Sequence, residues 1–350
     1  MISDSRSQAR ERYKGCLLGA VLGDALGMPY ETLPSRPPQP LSFKKAYRGH
    51  PNEMLLPGQY TDDGQLILIS ARILSESSPF DACAYAKELL RTYNLRKFRY
   101  ADGAVVSACK KMESSKNLLG SGINSGASGC ISLAVPFSLA YADKKEMARE
   151  LSSACSITHA NTTAQAGAVG LSLFLKTLAD TGDAAAAFRI LDTAAENMCP
   201  ELYLKLSHAY SLAAHKTPLQ HAAAELGASS YIYQTLPLAA YLCRSFERPD
   251  TLLSAAVSCG GNAGTIAMIC GAFAGARFGL SALPPDLVRS VERAGIFGEL
   301  AEKLYLRSHP EVAADEGKPA DGDTDETEAD GTSDTPSDES ADEESSSEEK

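Results

Sequence analysis

No run of 18 apolar residues occurs in the 350-residue chain, so no segment of it reads as a membrane span. Its first residues, polar and charged from Met1 to Arg12, do not make a secretory leader. The nine cysteines (Cys16, Cys83, Cys109, Cys130, Cys155, Cys199, Cys243, Cys259 and Cys270) are odd in number, lie among apolar residues and include no C-x-x-C pair. That pattern reads as reduced, buried thiols of a cytoplasmic protein rather than as a disulfide framework or zinc site. Alternating β-branched runs are nearly absent, and there is no internal repeat. No basic patch with interleaved aromatics points to nucleic acid.

What the chain does contain is an acidic end. From Glu311 to Lys350 there are 17 Asp or Glu and two Lys, a net −15, so against −11 for the whole chain the preceding 310 residues carry about +4. So little apolar surface cannot offset the entropy of ordering such a segment, and residues 309–350 are expected to form a disordered acidic tail. Such a tail keeps a protein soluble, masks a basic surface of its own body, or binds a basic partner.

Ahead of it, segments rich in Ala, Leu, Ser and Gly repeat at helical spacing: Asp63 to Glu76, Pro79 to Tyr93, Lys144 to Ser156, Thr162 to Thr181, Ala184 to Met198, Pro200 to Ala214 and Thr265 to Gly279. An all-α fold is expected, with one compact helical domain over residues 12–308 and a flexible N-terminus over 1–11. Breakers place loops at Pro34 to Pro40, His50 to Gly58, Lys116 to Gly129 and Thr217 to Pro218. Small residues recur every three or four positions from Gly15 to Gly27 and from Gly271 to Ala276, which suits close helix packing at about 1 kcal/mol of helix propensity per glycine. With no strand before them, they are not a nucleotide-binding loop.

Two features bear on chemistry. Tyr60-Thr61-Asp62-Asp63-Gly64-Gln65 puts a hydroxyl and two carboxylates directly before an apolar helix. Either Thr61 or Asp62 caps that helix and the negative charge suits its dipole, or the oxygens form half of a site for a hard divalent cation such as Mg²⁺. The segment from Leu118 to Gly129 is unusually rich in Gly and Ser, in the manner of loops that approach a ligand closely.

Five blocks in order carry a resemblance. They are Gly15 to Glu31 (GCLLGAVLGDALGMPYE), Tyr60 to Asp63, Ser125 to Pro136, Thr158-His159, and a stretch from Tyr231 through Leu236-Pro237-Leu238-Ala239 to Gly261 and on to Gly279. Together they cover most of residues 12–305, and the chain resembles the ADP-ribosylglycohydrolase family, which includes the dinitrogenase-reductase-activating glycohydrolases. The resemblance implies an all-α fold that binds ADP-ribose or an ADP-ribosylated protein and cleaves the ribose C1″ bond with Mg²⁺. Thr61, Asp62 and Asp63 fall on the family's first ligand segment, Asn262 and Thr265 on the second, and Glu31 on an acidic position near the active centre. That makes Glu31, Asp62 and Asp63 candidate catalytic residues. Ser125, Gly126, Ser128, Gly129, His159 and Tyr231 fall on blocks expected on the substrate side.

The departures matter equally. Where the family reads G-G-D-T-D-T-I-A, this chain has Gly260-Gly261-Asn262-Ala263-Gly264-Thr265-Ile266-Ala267, so two carboxylates are missing. The family's S-x-G-N-G-x-x-M-R is here Ser125 to Leu133, without the amide and the arginine, and Gly64 stands where a threonine is usual. Halving the ligand charge leaves two adjacent divalent cations poorly compensated, so one weakly held Mg²⁺ is expected. Two functional readings follow: a hydrolase working with a reduced site, or an inactive relative that binds ADP-ribose or a protein partner through the same cleft.

Overall fold

A computed structural model describes residues 2–316, and residues 317–350 of the expected tail lie outside them. The elements are α-helices: α1 (Ile2–Gly27), α2 (Asp62–Glu76), α3 (Ala82–Asn94), α4 (Gly103–Ser115), α5 (Ala134–Ala140), α6 (Lys144–Ser156), α7 (Thr162–Thr181) and α8 (Ala184–Met198). They continue with α9 (Pro200–Ala214), α10 (Leu219–Leu226), α11 (Ile232–Ser245), α12 (Pro249–Ser258), α13 (Ala263–Phe278), α14 (Pro285–Ser290), α15 (Ala294–Ser308) and α16 (Pro310–Glu316). The only β pairing among the described residues is two isolated bridges, Ile123 with His159 and Ala127 with Tyr231. No described helix is long and apolar enough to cross a membrane.

Caps explain where the helices begin. Asp81, Asp143, Asn161 and Asp183 each accept a backbone N–H from the first turn that follows them, satisfying donors that a helix leaves unpaired. The expected start of α3 at Pro79 is corrected for this reason, because Asp81 is its cap. Of the N-terminal residues, 2–11 lie within α1, where Ala9 and Tyr13 are buried and Arg6 pairs with Asp315 at 3.2 Å. At the other end of the described residues, α16 places Val312 in the core.

The centre of the molecule is α13, buried along almost its whole length and apolar on every side, as a helix surrounded by others must be. Against it lies α1, and the glycine stripe sets their approach. A side-chain carbon at Gly15 would stand 2.6 Å from the carbonyl oxygen of Gly275, and at Gly19, Gly23 and Gly27 it would run into the carbonyls of Gly271, Ala267 and Ala263. The order of these pairs shows that the two helices run antiparallel. Their closeness matters for the site, because it brings the C-terminal end of α1 against the N-terminal end of α13.

Candidate active site

Three chain segments meet at one cleft of about 500 Å³, a size within the ~300–1,000 Å³ usual for small-ligand sites. The first is the start of α2. Thr61 is its cap, its hydroxyl accepting from the N–H of Asp63 at 3.4 Å, so the capping alternative holds for this residue. Arg99 fixes the approach to this turn. It donates to the Tyr60 carbonyl at 2.9 Å, is paired with Glu292, and gives its own carbonyl to the N–H of Asp62 at 3.2 Å.

The second segment is the start of α13. Gly260 and Gly261 have φ of 67° and 58°, and a side chain at either would strike a backbone carbonyl, of Leu33 and Ala228 respectively. Left-handed backbone with no room for a Cβ requires glycine. The turn they make is clasped to the segment after α1: Thr32 N–H donates to Gly261 O at 2.8 Å, and Gly261 N–H donates to Leu33 O at 2.9 Å. Glu31 is held at the mouth of α13 in consequence.

The third segment is the loop before α5. Its Ser132 hydroxyl donates to one oxygen of Asp63, while Thr265 at the start of α13 donates to the other at 2.7 Å. Asp63 therefore joins all three segments. Asn262 links the start of α13 to the loop before α5 and to α11 through its amide, donating to Ser128 Oγ at 3.2 Å and Thr235 Oγ1 at 3.1 Å, while its oxygen lies 3.3 Å from the Thr265 hydroxyl.

Of the residues singled out from sequence, Glu31, Asp62, Asp63, Ser128, Gly129, Asn262 and Thr265 line this cleft. Thr61 lies behind it, its hydroxyl turned to Asp24 at 2.8 Å. Ser125, Gly126 and Tyr231 form a neighbouring cluster outside the lining: Ile232 N–H donates to Gly126 O at 2.9 Å, and the Tyr231 ring fills the space beside the glycine. His159 is fully buried, with Nε2 at 3.4 Å from Asp102 and Nδ1 at 2.9 Å from the Thr158 hydroxyl. It stands beside Asp102 and is not among the residues lining the cleft.

Sequence reading missed two carboxylates. Asp102 caps α4, lines the cleft, and donates its N–H to Asp62 at 3.0 Å. Its only sequence signal is the helix start at Asp102-Gly103-Ala104. Asp24 is fully buried on α1 and accepts from Thr61 N–H at 2.9 Å, Thr61 Oγ1 at 2.8 Å and Gly64 N–H at 2.8 Å. Ser229 and Ser230 also line the cleft and were not anticipated.

The electrostatics are one-sided. Burial, then the neighbouring Asp63, raises Asp24 to about 7. Burial and the surrounding carboxylates also push Glu31 and Asp62 well above the ordinary range. Asp63 is raised by burial, less so because Ser132 and Thr265 donate to it. Asp102 differs: burial opposes its charge, but His159 together with the N–H groups of Ala104 and Val105 offsets burial and holds it below the ordinary range. No described residue lining the cleft is basic.

This concentration of desolvated carboxylates, together with a Glu31 Oε2 that is buried without a partner, fits a positively charged occupant. Among the described residues no three His, Cys, Asp or Glu side chains converge as ready metal ligands. A cation would rest on Asp62 and Asp63 with help from neighbouring oxygens, Thr265 and Asn262 among them.

Comparison with known proteins agrees with this picture. The ADP-ribosylglycohydrolase family pattern matches residues 5–313. The chain is 25% identical to ADP-ribosylarginine hydrolase Tri1 of Pseudomonas putida, over 87% of this chain and 80% of that protein. It is 26% identical to human ADP-ribosylhydrolase ARH3, over 85% of this chain and 94% of that one. A solved ADP-ribosylglycohydrolase-related protein superposes with a TM-score of 0.71 at 22% identity, covering 86% of this chain and 99% of its own, which speaks to the fold. Members of the family are generally metal-dependent hydrolases acting on ADP-ribosylated substrates. With its fold, its helix-start cleft and a family match along nearly the whole described body, the chain belongs to the ADP-ribosylglycohydrolase family.

Proposed function

We propose that the cleft binds the ADP-ribose unit of an ADP-ribosylated protein and hydrolyses the ribose C1″ bond with one divalent cation, Mg²⁺ being the expected ion. The observation that carries this reading is the hydrogen bond from Thr265 to Asp63, which ties the starts of α2 and α13 into one carboxylate-lined cleft. Asp62 and Asp63 would hold the ion, with Thr265 and the Asn262 oxygen beside them. Bound there, it would orient ribose hydroxyls and neutralise carboxylate charge. Glu31, which lines the cleft beside Asp62 and Asp63, would in its deprotonated form accept a proton from the attacking water. Ser128, Gly129, Ser229 and Ser230 supply the polar wall along which the rest of the ligand would lie.

A second reading, binding without turnover, is favoured by one specific feature. The Asn262 amide is committed to Ser128 and Thr235, and Gly264 has no side chain, so this end of the site holds its loops together more than it supplies charge. Turnover separates the two. Incubated with Mg²⁺ and peptides ADP-ribosylated on arginine or serine, the full chain is expected to release ADP-ribose, and Asp62→Asn is expected to abolish release. Binding of ADP-ribose with no release from either peptide would select the second reading; neither binding nor release would defeat both.

A further inference from the structure

We propose that residues 317–350 of this chain bind, through their carboxylates, in a basic pocket between α2, α3 and the start of α15. The pocket is a second site on the body, one for an acidic peptide, and it shares no lining residue with the cleft.

Its walls carry charge of one sign. A cavity of about 200 Å³ is lined by five cations, Arg72, Arg91, Lys97, Arg99 and Arg293, against one acid, Glu88. Two of the five are already paired. Arg91 is held by Glu88 on its own helix, Nε to Oε2 at 2.8 Å, and Arg99 gives both of its terminal nitrogens to Glu292. Arg72, Lys97 and Arg293 have no salt bridge among the described residues. Like charges gathered around one cavity repel, and an anion between them relieves the repulsion. The start of α15 adds to the same field, because Arg293 opens that helix without a side-chain cap and leaves the positive end of its dipole at the pocket.

The chain carries the complementary charge in excess. Residues 317–350 hold 14 Asp or Glu and two Lys, a net −12. Their starting point allows the contact. From Arg293 the chain passes through α15, His309 and α16 to Glu316, which puts Glu316 at most about 40 Å from the pocket at the usual rise of a helix. The 34 residues beyond it span up to about 110 Å when extended, so they reach the pocket whatever direction α16 takes. Being tethered, they are present there at an effective concentration on the order of millimolar, against which an outside anion must compete.

Lys97 gives the pocket a chemical reporter, since it is the one amine among the lining residues. A water-soluble carbodiimide joins an amine to a carboxylate only where the two touch. Treatment of the full chain, then digestion and mass spectrometry, is expected to find Lys97 joined to Asp or Glu of 317–350. In an equal mixture of isotopically heavy and light chains the joined peptides should carry one label, which marks a link within one molecule. Lys14, 3.0 Å from Glu302, reports that the reagent has acted, and the exposed Lys205 on α9 gives the background of chance encounters.

The Lys97 link should fall at least roughly fivefold at about 1 M salt, where the Debye length shrinks to about 3 Å. It should fall as far in the full-chain double variant Arg72→Gln, Arg293→Gln, which keeps the amine and removes two unpaired charges. Both side chains are exposed, and an unchanged circular dichroism melt shows that the variant is folded. A Lys97 link no stronger than that of Lys205 would overturn the proposal. So would a link indifferent to both salt and the two substitutions, or one found only between heavy and light chains.

Discussion

Gly23→Leu is expected to cost about 3 kcal/mol or more, enough to remove most of the stability of an ordinary domain. The reason is what lies opposite. A side-chain carbon at Gly23 meets the carbonyl of Ala267 and the N–H of Met268, backbone atoms of the central helix that cannot rotate aside. Relief would require α1 and α13 to separate, and that would pull the Asp24 and Glu31 region away from Thr265. Gly298→Ala is the matched control. It lies inside α15 with nothing within 4 Å of the added carbon, so gaining helix propensity should stabilise by up to about 1 kcal/mol. Urea unfolding of the two variants checks both signs, and a Gly23→Leu midpoint equal to that of the parent would contradict the packing described.

Stability is expected to fall between about pH 4 and pH 7 when divalent ions are chelated. Asp24 has a folded pKa of about 7 against an ordinary 3.8, so in that window the folded chain holds a proton that the unfolded chain has released. Stability declines with rising pH wherever the folded state binds more protons. The contribution is fully present below the unfolded value and is lost as pH passes the folded one. Glu31, Asp62 and Asp63 are raised as well and act in the same direction. The summed effect is on the order of a few kcal/mol.

Adding Mg²⁺ should reverse the decline at pH 8 and do much less at pH 5, because an ion binds deprotonated ligands and must displace protons at the lower pH. Melting temperatures over pH 5 to 8, with chelator and with Mg²⁺, measure this. A melting temperature that rises with pH under chelation would contradict the buried-carboxylate account.

Much of the scaffold was legible in the sequence, and the reason is local. The bounds of α6, α7, α8 and α9 follow from Asp143, Asn161, Asp183 and Pro200, residues whose capping or first-turn preference acts within one turn. The N-terminal helix was not legible, because its polar first turns are held by partners at the far end of the chain: Arg6 by Asp315, and Lys14 by Glu302.

The site divides in the same way. Asp62 and Asp63 stand out as neighbours before a helix. Asp24 is hidden inside a glycine stripe whose spacing speaks only of packing, and Asp102 looks like a linker residue until the fold carries it to Asp62. His159 stands out beside Thr158, but its approach to Asp102 and its full burial are set by the fold. The filling of the Gly264 side-chain space by Glu31 depends on the close approach of two helix ends more than 230 residues apart in sequence, and no local pattern encodes it.

The central claim is that this cleft takes ADP-ribose through Asp63 and its neighbours. Isothermal titration of the full chain with ADP-ribose in the presence of Mg²⁺ tests it most directly, alongside Asp63→Asn. Saturable one-to-one binding by the unmodified chain is expected. In the variant, affinity at least roughly tenfold weaker is expected, since one partner of the Ser132 and Thr265 hydrogen bonds is altered and a carboxylate charge in the cleft is lost. No binding by a chain shown to be folded, with or without Mg²⁺, or equal binding by Asp63→Asn, would contradict it.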